Sequence, residues 1–326
     1  MHYLMVCRIP CTGWQPSFMG SLMIKTDQQG PGFDNNVHKS GYVALIGKPN
    51  AGKSTLFNTL IGSRLSITTP KPQTTRHRIL GIYSGENAQI IFLDTPGIIK
   101  PNYRLQQLMM DQVERTRQDS DLVLYIYDVT NDKNPDVPAE LLKSFGKPVL
   151  LVLNKMDLIP TKKGLPVAEA LGKTYPFAGI FPVSAKKGTG VEELKNELIK
   201  RIPPGPPFYP HNQISEHPER FFVAELIREQ IFLLYQQEIP YSTTVNIIQY
   251  QERDEMDIID ADIVVNRESQ KGILIGKKGS ALKKTGTAAR KSIEAFLGKK
   301  VRLNLFVKAR DKWRDRDSYL RSYGYE

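Results

Sequence analysis

Residues 47–54 read Gly-Lys-Pro-Asn-Ala-Gly-Lys-Ser, a G-x-x-x-x-G-K-[ST] pattern, and this octet constrains the fold more than any other part of the chain. Such a loop works only between a strand that delivers it and a helix whose N-terminus it opens. Its amides must curl around phosphate while the helix end adds partial positive charge. The flanks supply both, with an apolar run over 42–47 and helical patterning from Lys53. Gly47 and Gly52 permit close backbone approach, and Lys48, Pro49, Asn50 and Ala51 complete the loop. Lys53 reaches the β and γ phosphates, and Ser54 offers a hydroxyl to Mg²⁺. Further apolar runs over 78–83, 89–93, 122–127, 149–154 and 179–183 alternate with helical stretches near 104–119, 137–145, 166–173 and 191–201. Strands alternating with helices predict an α/β domain: a mostly parallel sheet with helices on both faces.

Two further motifs, each at a strand end, name the nucleotide. Asp94-Thr95-Pro96-Gly97 places a carboxylate where it can hold magnesium through water and a glycine amide where it can meet the γ phosphate. Asn154-Lys155-Met156-Asp157 places a carboxylate where it can accept from both the ring N–H and the exocyclic amine of guanine. Adenine lacks that donor pair, so the site selects GTP over ATP. Ser184-Ala185-Lys186 follows another strand and is expected to offer a backbone amide to the guanine oxygen. The polar, proline-punctuated stretch 68–76 is long enough to cover the phosphates and reads as a switch loop. Its threonine should join Ser54 and Asp94 around the metal only when γ phosphate is present, with Thr75 preferred over Thr74. Lys53, Thr75 and Gly97 are the expected catalytic contacts. Ile98 follows Gly97 and cannot orient the attacking water as a glutamine would, so slow intrinsic hydrolysis is predicted, with water placed by other groups, a cation or a partner.

The 326 residues suggest two domains, and the proline cluster at 203–207 divides them, since proline ends the preceding helix. The expected limits are 1–40 for an irregular leader or misassigned start, 41–202 for the nucleotide domain, 203–217 for a linker, 218–316 for a second domain and 317–326 for a tail. The second domain reads α-β-β-α-β. The net charge of +11 is concentrated there. Residues 271–316 hold fifteen Lys and Arg against three acids, while the rest of the chain holds 30 against 31. Such a patch suits a polyanion. Within it, Gly276-Lys277-Lys278-Gly279 forms a G-x-x-G loop before a helix that Ser280 is expected to cap. In K-homology domains a loop of this kind clamps single-stranded RNA by its backbone. Lys283, Lys284 and Lys291 fall on one helix face, with Leu282, Ala289, Ile293 and Phe296 on the other. Trp313, among cations, suits base stacking and helix anchoring equally. The only cysteines, Cys7 and Cys11, lie in the leader, fit a reducing compartment and provide no disulfide framework. No apolar run is long enough for a membrane span.

Across residues 41 to 316 the chain resembles the Era family of bacterial GTPases. The resemblance rests on GKPNAGKS at 47, PQTTRHR at 72, DTPG at 94, NKMD at 154, SAKKGTG at 184, PERFFVAELIRE at 218 and GILIGKKGSALKKTGTAARK at 272. It implies a P-loop GTPase domain followed by an α+β type II K-homology domain, with GTP or GDP and Mg²⁺ as cofactors. It also implies binding near the 3′ end of small-subunit (16S) ribosomal RNA, a role in small-subunit assembly as a monomer, and a cytoplasmic location with peripheral membrane association. The competing expectation is a GTPase whose basic domain docks on anionic membrane or an acidic protein. With both sites on one chain and a short linker between them, nucleotide state and RNA affinity are expected to be coupled.

Overall fold

The structure, a computed structural model, describes residues 38–130 and 137–325. The predicted leader, with Cys7 and Cys11, lies outside the described residues except at its end, where strand β1 (Lys39–Gly47) begins earlier than expected. The P-loop follows β1 and opens helix α1 (Lys53–Ile61). Next come β2 (Ile79–Ser84), β3 (Ala88–Asp94), α2 (Arg104–Asp119), β4 (Leu122–Asp128), α3 (Ala139–Ser144) and β5 (Val149–Asn154). Helix α4 (Gly164–Thr174), β6 (Gly179–Pro182) and α5 (Val191–Arg201) complete the first unit.

Among the described residues the six strands form one sheet in the order β2-β3-β1-β4-β5-β6. All pairs are parallel except the β2–β3 hairpin. Every residue of β3 and β5 is buried, as strands covered on both faces must be. One face packs Leu56, Phe57 and Leu60 of α1 with Leu194 and Leu198 of α5. The other packs Val113, Leu142, Val167 and Leu171 from α2, α3 and α4. The P-loop, Asp94, Asn154 and Ser184 therefore gather beyond the carboxyl ends of neighbouring parallel strands, where open α/β sheets bind ligands.

Segment 203–217 is not a free tether. Ser40 N donates to Pro203 O at 3.1 Å, Gln89 Oε1 accepts from the amides of Phe208 and Tyr209, and Ile82 N donates to Ile214 O at 2.9 Å. The first two contacts tie the segment to β1 and β3; the Ile82 bond and the Ser215 hydroxyl, which donates to Leu80 O at 2.6 Å, lay residues 214–215 against β2, satisfying backbone groups that an edge strand leaves open.

The second unit contains α6 (Glu219–Leu234), β7 (Thr243–Gln251), β8 (Met256–Val265), α7 (Glu268–Ile275), α8 (Ser280–Leu297), β9 (Lys300–Ala309) and α9 (Asp317–Ser322). Its sheet runs β7-β8-β9, with β7–β8 antiparallel and β8–β9 parallel. Helices α6 and α8 cover one face, burying Ile227, Ile231, Ala289 and Ile293 against Ile259, Ala261 and Ile263. The predicted α-β-β-α-β order omitted α7. Its short apolar run with a central glycine gives little helical signal, and its start is set by Gln270, whose Oε1 accepts from the amides of Asn266 at 3.0 Å and Arg267 at 3.1 Å. Ser280 is the first helical residue, not the cap; Gly279 holds that position at φ 77°.

Candidate nucleotide site and nucleic-acid interface

The three residues expected around the metal converge. Ser54 Oγ lies 2.8 Å from Thr75 Oγ1 and donates to Asp94 Oδ2 at 2.7 Å. Thr74, the alternative, turns away to Thr69 and to Lys71 O. Asp94 is fully buried, and its Oδ1 has no protein partner. Burial raises its carboxyl pKa, against the nearby Lys53 ammonium and three hydroxyl donors. A buried carboxylate with one open oxygen beside two hydroxyls fits a hard, oxygen-seeking divalent ion. Ser66 is a third hydroxyl donor, 2.8 Å from Asp94 Oδ2, which no sequence pattern marked.

Lys53 sits in the loop with its amine 3.2 Å from Gly47 O and 3.1 Å from Lys48 O. Burial lowers its pKa to about 8, with Asp94 pulling the other way, a penalty that polyphosphate would relieve. The glycines are sterically required. A Cβ on Gly47 would come 2.5 Å from Ile126 O, and one on Gly97 2.8 Å from Pro49 Cα, so the P-loop and the Asp94–Gly97 loop abut. Ile98 N donates to Gly47 O at 3.2 Å while its side chain packs with the core under α2–α4, away from any water-orienting role. Thr95 and Pro96 are buried, and Thr95 Oγ1 braces Leu45 O at 2.7 Å.

The guanine-side motifs are knit together by Asn154. Its Nδ2 donates to Ala51 O at 2.8 Å, and its Oδ1 accepts from the amides of Lys155 at 2.8 Å and Ala185 at 3.0 Å. Asn154 is thus a brace joining three loops, and within the Ser184–Lys186 stretch expected to offer an amide to guanine the Ala185 N–H is engaged by Asn154. Lys155 adopts φ 66°, pairs with Asp128 and lines the phosphate cavity. The 3₁₀ turn that begins at Met156 carries Asp157, whose Oδ1 accepts from Ser184 Oγ at 2.7 Å, fixing the carboxylate expected to read the base. Lys186 is exposed.

The switch loop closes over the cavity, with Asn50 Nδ2 donating to Pro70 O at 2.9 Å. Its outer side is held by the second unit. Ile67 is buried in that unit's core. Thr68 N donates to Glu229 Oε1 at 3.1 Å, and Lys71 Nζ donates to Phe232 O and Tyr235 O at the C-terminal end of α6, where a cation complements the helix dipole. Buried Arg228 forks onto Glu225 and gives an N–H to Thr74 O at 2.5 Å. Arg76 reaches Pro240 O at 2.8 Å and Thr243 O at 2.7 Å, while His77 stacks on Tyr325 at 4.4 Å. The C-terminal segment packs likewise: Leu320 and Tyr325 join Leu105 and Met109 of α2, and Arg104 pairs with Asp317 at 2.8 Å. Trp313 is fully buried, with Nε1 donating to Ser242 O at 2.9 Å, so it anchors this segment and is closed to base stacking.

In the basic region Gly276, Lys278 and Gly279 take φ 69°, 52° and 77°, and Lys277 and Lys278 are exposed. A Cβ on Gly276 would meet the Ala281 Cβ at 2.7 Å. A groove between α8 and β9 is lined by Gly279, Leu282, Lys283, Gly286, Leu303 and Leu305. Lys284 and Lys291 line an adjoining shallow hollow that shares Lys283. Leu303 and Leu305 of β9 give the groove an apolar floor.

Residues 42–155 match the model of the 50S ribosome-binding GTPase family, and residues 238–314 match the KH domain model. GTPase Era of Geobacter sp. is 45% identical over 291 residues, covering 88% of this chain and 98% of that protein. The chain belongs to the Era family of GTPases. The chloroplastic GTPase ERA1 of Zea mays is 47% identical over 296 residues, 88% of this chain and 71% of its own length. A crystal structure of Era in complex with MgGDPNP and nucleotides 1506–1542 of 16S ribosomal RNA superposes with TM-score 0.84 at 41% identity, covering 88% of this chain and 99% of that one. An Aquifex aeolicus Era variant bound to GDP and AlF₄⁻ gives the same TM-score and coverage at 40% identity. The order of GTPase domain, then KH domain, is the order of this family, and the clasped switch loop lies between the two.

Proposed function

We infer that this Era-family chain is a GTP-binding and GTP-hydrolysing switch that binds small-subunit ribosomal RNA near its 3′ end and acts in small-subunit assembly. One observation carries the switch reading: the loop bearing Thr75 meets Asp94 and Ser54 on one side and α6 of the KH domain on the other. The P-loop amides and Lys53 cradle the phosphates, and Asp157 reads guanine. Ser54, Thr75 and Asp94 would hold magnesium, which neutralises charge on the β and γ oxygens. Gly97 leaves room for its amide to approach the γ phosphate, and Thr75 is the part of this shell that leaves when that phosphate does. Gly276–Gly279 clamps the RNA backbone, with Lys277, Lys278 and Lys283 neutralising phosphates and the apolar groove floor receiving bases. Lys284 and Lys291 extend the positive surface.

The test is RNA binding across a salt series, with a 16S 3′-terminal segment and a scrambled control, in GDP and in a non-hydrolysable GTP analogue. We expect sequence preference, a steep salt dependence, tighter binding with the analogue, and a loss of ten-fold or more on changing Gly276 and Gly279 to Asp. Equal affinity in the two nucleotides would remove the switch. Binding to anionic vesicles with no preference between RNAs would replace the RNA reading with membrane docking.

A further inference from the structure

We propose that Ser66 is a positioning residue for the magnesium-side carboxylate: anchored by Asn58, it fixes which oxygen of Asp94 stays engaged and which is offered to the ion. The inference rests on the reading of Asp94, Ser54 and Thr75 as the metal site.

Asp94 Oδ2 receives three hydroxyls, Ser54 at 2.7 Å, Ser66 at 2.8 Å and Thr75 at 3.5 Å, while Oδ1 receives none from the protein. Ser54 and Thr75 also answer to the ligand, one on the phosphate loop and the other on the switch. Ser66 is different in kind. It is fully buried, and both its backbone groups are held by one side chain of α1. Asn58 Oδ1 accepts from Leu65 N at 3.0 Å and Ser66 N at 2.9 Å, and Asn58 Nδ2 donates to Ser66 O at 2.7 Å. The chain on either side is equally fixed, with Leu65 buried in the GTPase core and Ile67 in the KH core. The Ser66 hydroxyl is therefore a stationary donor. It pins Oδ2 and keeps the Asp94 carboxylate from rotating to present that oxygen instead. Outer partners that orient a metal's carboxylate typically govern about ten- to hundred-fold in metal affinity. Ser66 stands in that relation to magnesium, and Asn58 to Ser66.

The experiment uses the full chain and a fluorescent GDP, titrated with Mg²⁺ and compared with binding in EDTA. For Ser66→Ala we expect metal-free nucleotide affinity within about two-fold of the parent and a Mg²⁺ half-saturation raised about ten-fold. Asn58→Ala should move it the same way, and Ser66→Cys, a near-isosteric weak donor, should lie between and serves if the alanine variant fails to fold. A parental Mg²⁺ response in Ser66→Cys or Ser66→Ala overturns the proposal, as does an equal loss with and without Mg²⁺, which would mark a merely structural serine. If the parent itself shows no Mg²⁺ dependence, the metal-site reading fails, and that result is distinct from a failure of Ser66.

Discussion

Arg228 does two jobs, and a pair of substitutions separates them. Its guanidinium is 1% exposed, meets Glu225 Oε1 through Nε at 2.8 Å, and donates to Thr74 O at 2.5 Å. Burial pushes the Glu225 carboxyl up, but the Arg228 charge and hydrogen bonds outweigh it and hold that carboxyl below its usual range. Arg228→Met alone strands a buried carboxylate and costs about 3–5 kcal/mol, so a large fall in Tm is expected. Combining it with Glu225→Met removes both charges, and since replacing a buried pair by apolar residues of similar volume is close to neutral, most of the Tm should return. The bond to the switch loop does not. A hydrogen bond from a charged group contributes about 1.5–3 kcal/mol, so the closed loop of the double variant should be weakened about 10- to 150-fold. Amide hydrogen exchange over 68–76, with the GTP analogue and Mg²⁺ bound, reads this directly. A double variant with recovered Tm and parental protection over 68–76 would refute the argument, because Arg228 would then hold only Glu225 and not the switch.

Asp157→Asn should cost GTP affinity about 10²-fold or more and favour xanthosine triphosphate, whose ring carbonyl complements an amide, checked by competition binding. His77 is stacked on Tyr325, and burial depresses its pKa from 6.5 to about 4. The neutral form is favoured in the fold, so its contribution is complete above pH 6.5 and lost as pH falls from 6.5 towards 4. Discounted for the ring's partial exposure, the loss should be about 1–3 kcal/mol, and Tm against pH should flatten in His77→Phe relative to the parent. With Ile98 packed into the core, single-turnover hydrolysis by the isolated protein should run well below about 1 s⁻¹; tens per second without partner or added ion would contradict it.

The parts of the site built from local backbone were legible in sequence. Glycine spacing, strand ends and a helix start specify a phosphate loop because the chemistry needs them within a few residues, and Asp94 and Asn154 each close an apolar strand. Thr75 could be preferred over Thr74, yet the reason emerged only in three dimensions, where Thr74 is spent on its own loop. Ser66 and Asn58 gave no signal, since their partnership spans eight residues and a turn that no periodicity describes. The clasp was equally hidden. Arg76 and Arg228 fall within stretches that carry the family resemblance, but no contact could be assigned to them or to Lys71, because the carbonyls they hold across the two domains lie more than 150 residues away and sequence cannot mark them. Helix α7 was missed because Gly272 interrupts its pattern and its start carries no Ser, Thr, Asp or Asn cap, only Gln270 reaching back to the amides of Asn266 and Arg267.

Coupling between the two sites requires that one element have different free energies in the two states and that both ligands bias it. The switch loop satisfies the geometric half of that condition with little slack. Thr74 presents its carbonyl to Arg228 of α6, and the next residue presents its hydroxyl to Ser54 and Asp94. Arg76, the residue after that, is fastened to the KH domain again. RNA held at the Gly276–Gly279 loop that steadied α6 in this seating would reach Thr75 through one peptide unit. The reverse path is the same peptide unit, so Mg·GTP that draws Thr75 inward must favour the seated KH domain by the same free energy that the seated domain lends to Mg·GTP. On that proposal, hydrolysis would remove the γ phosphate's hold on this loop and leave the clasp alone to keep it closed. On the proposed coupling, the strength of those few bonds would set how far RNA affinity falls when GTP becomes GDP.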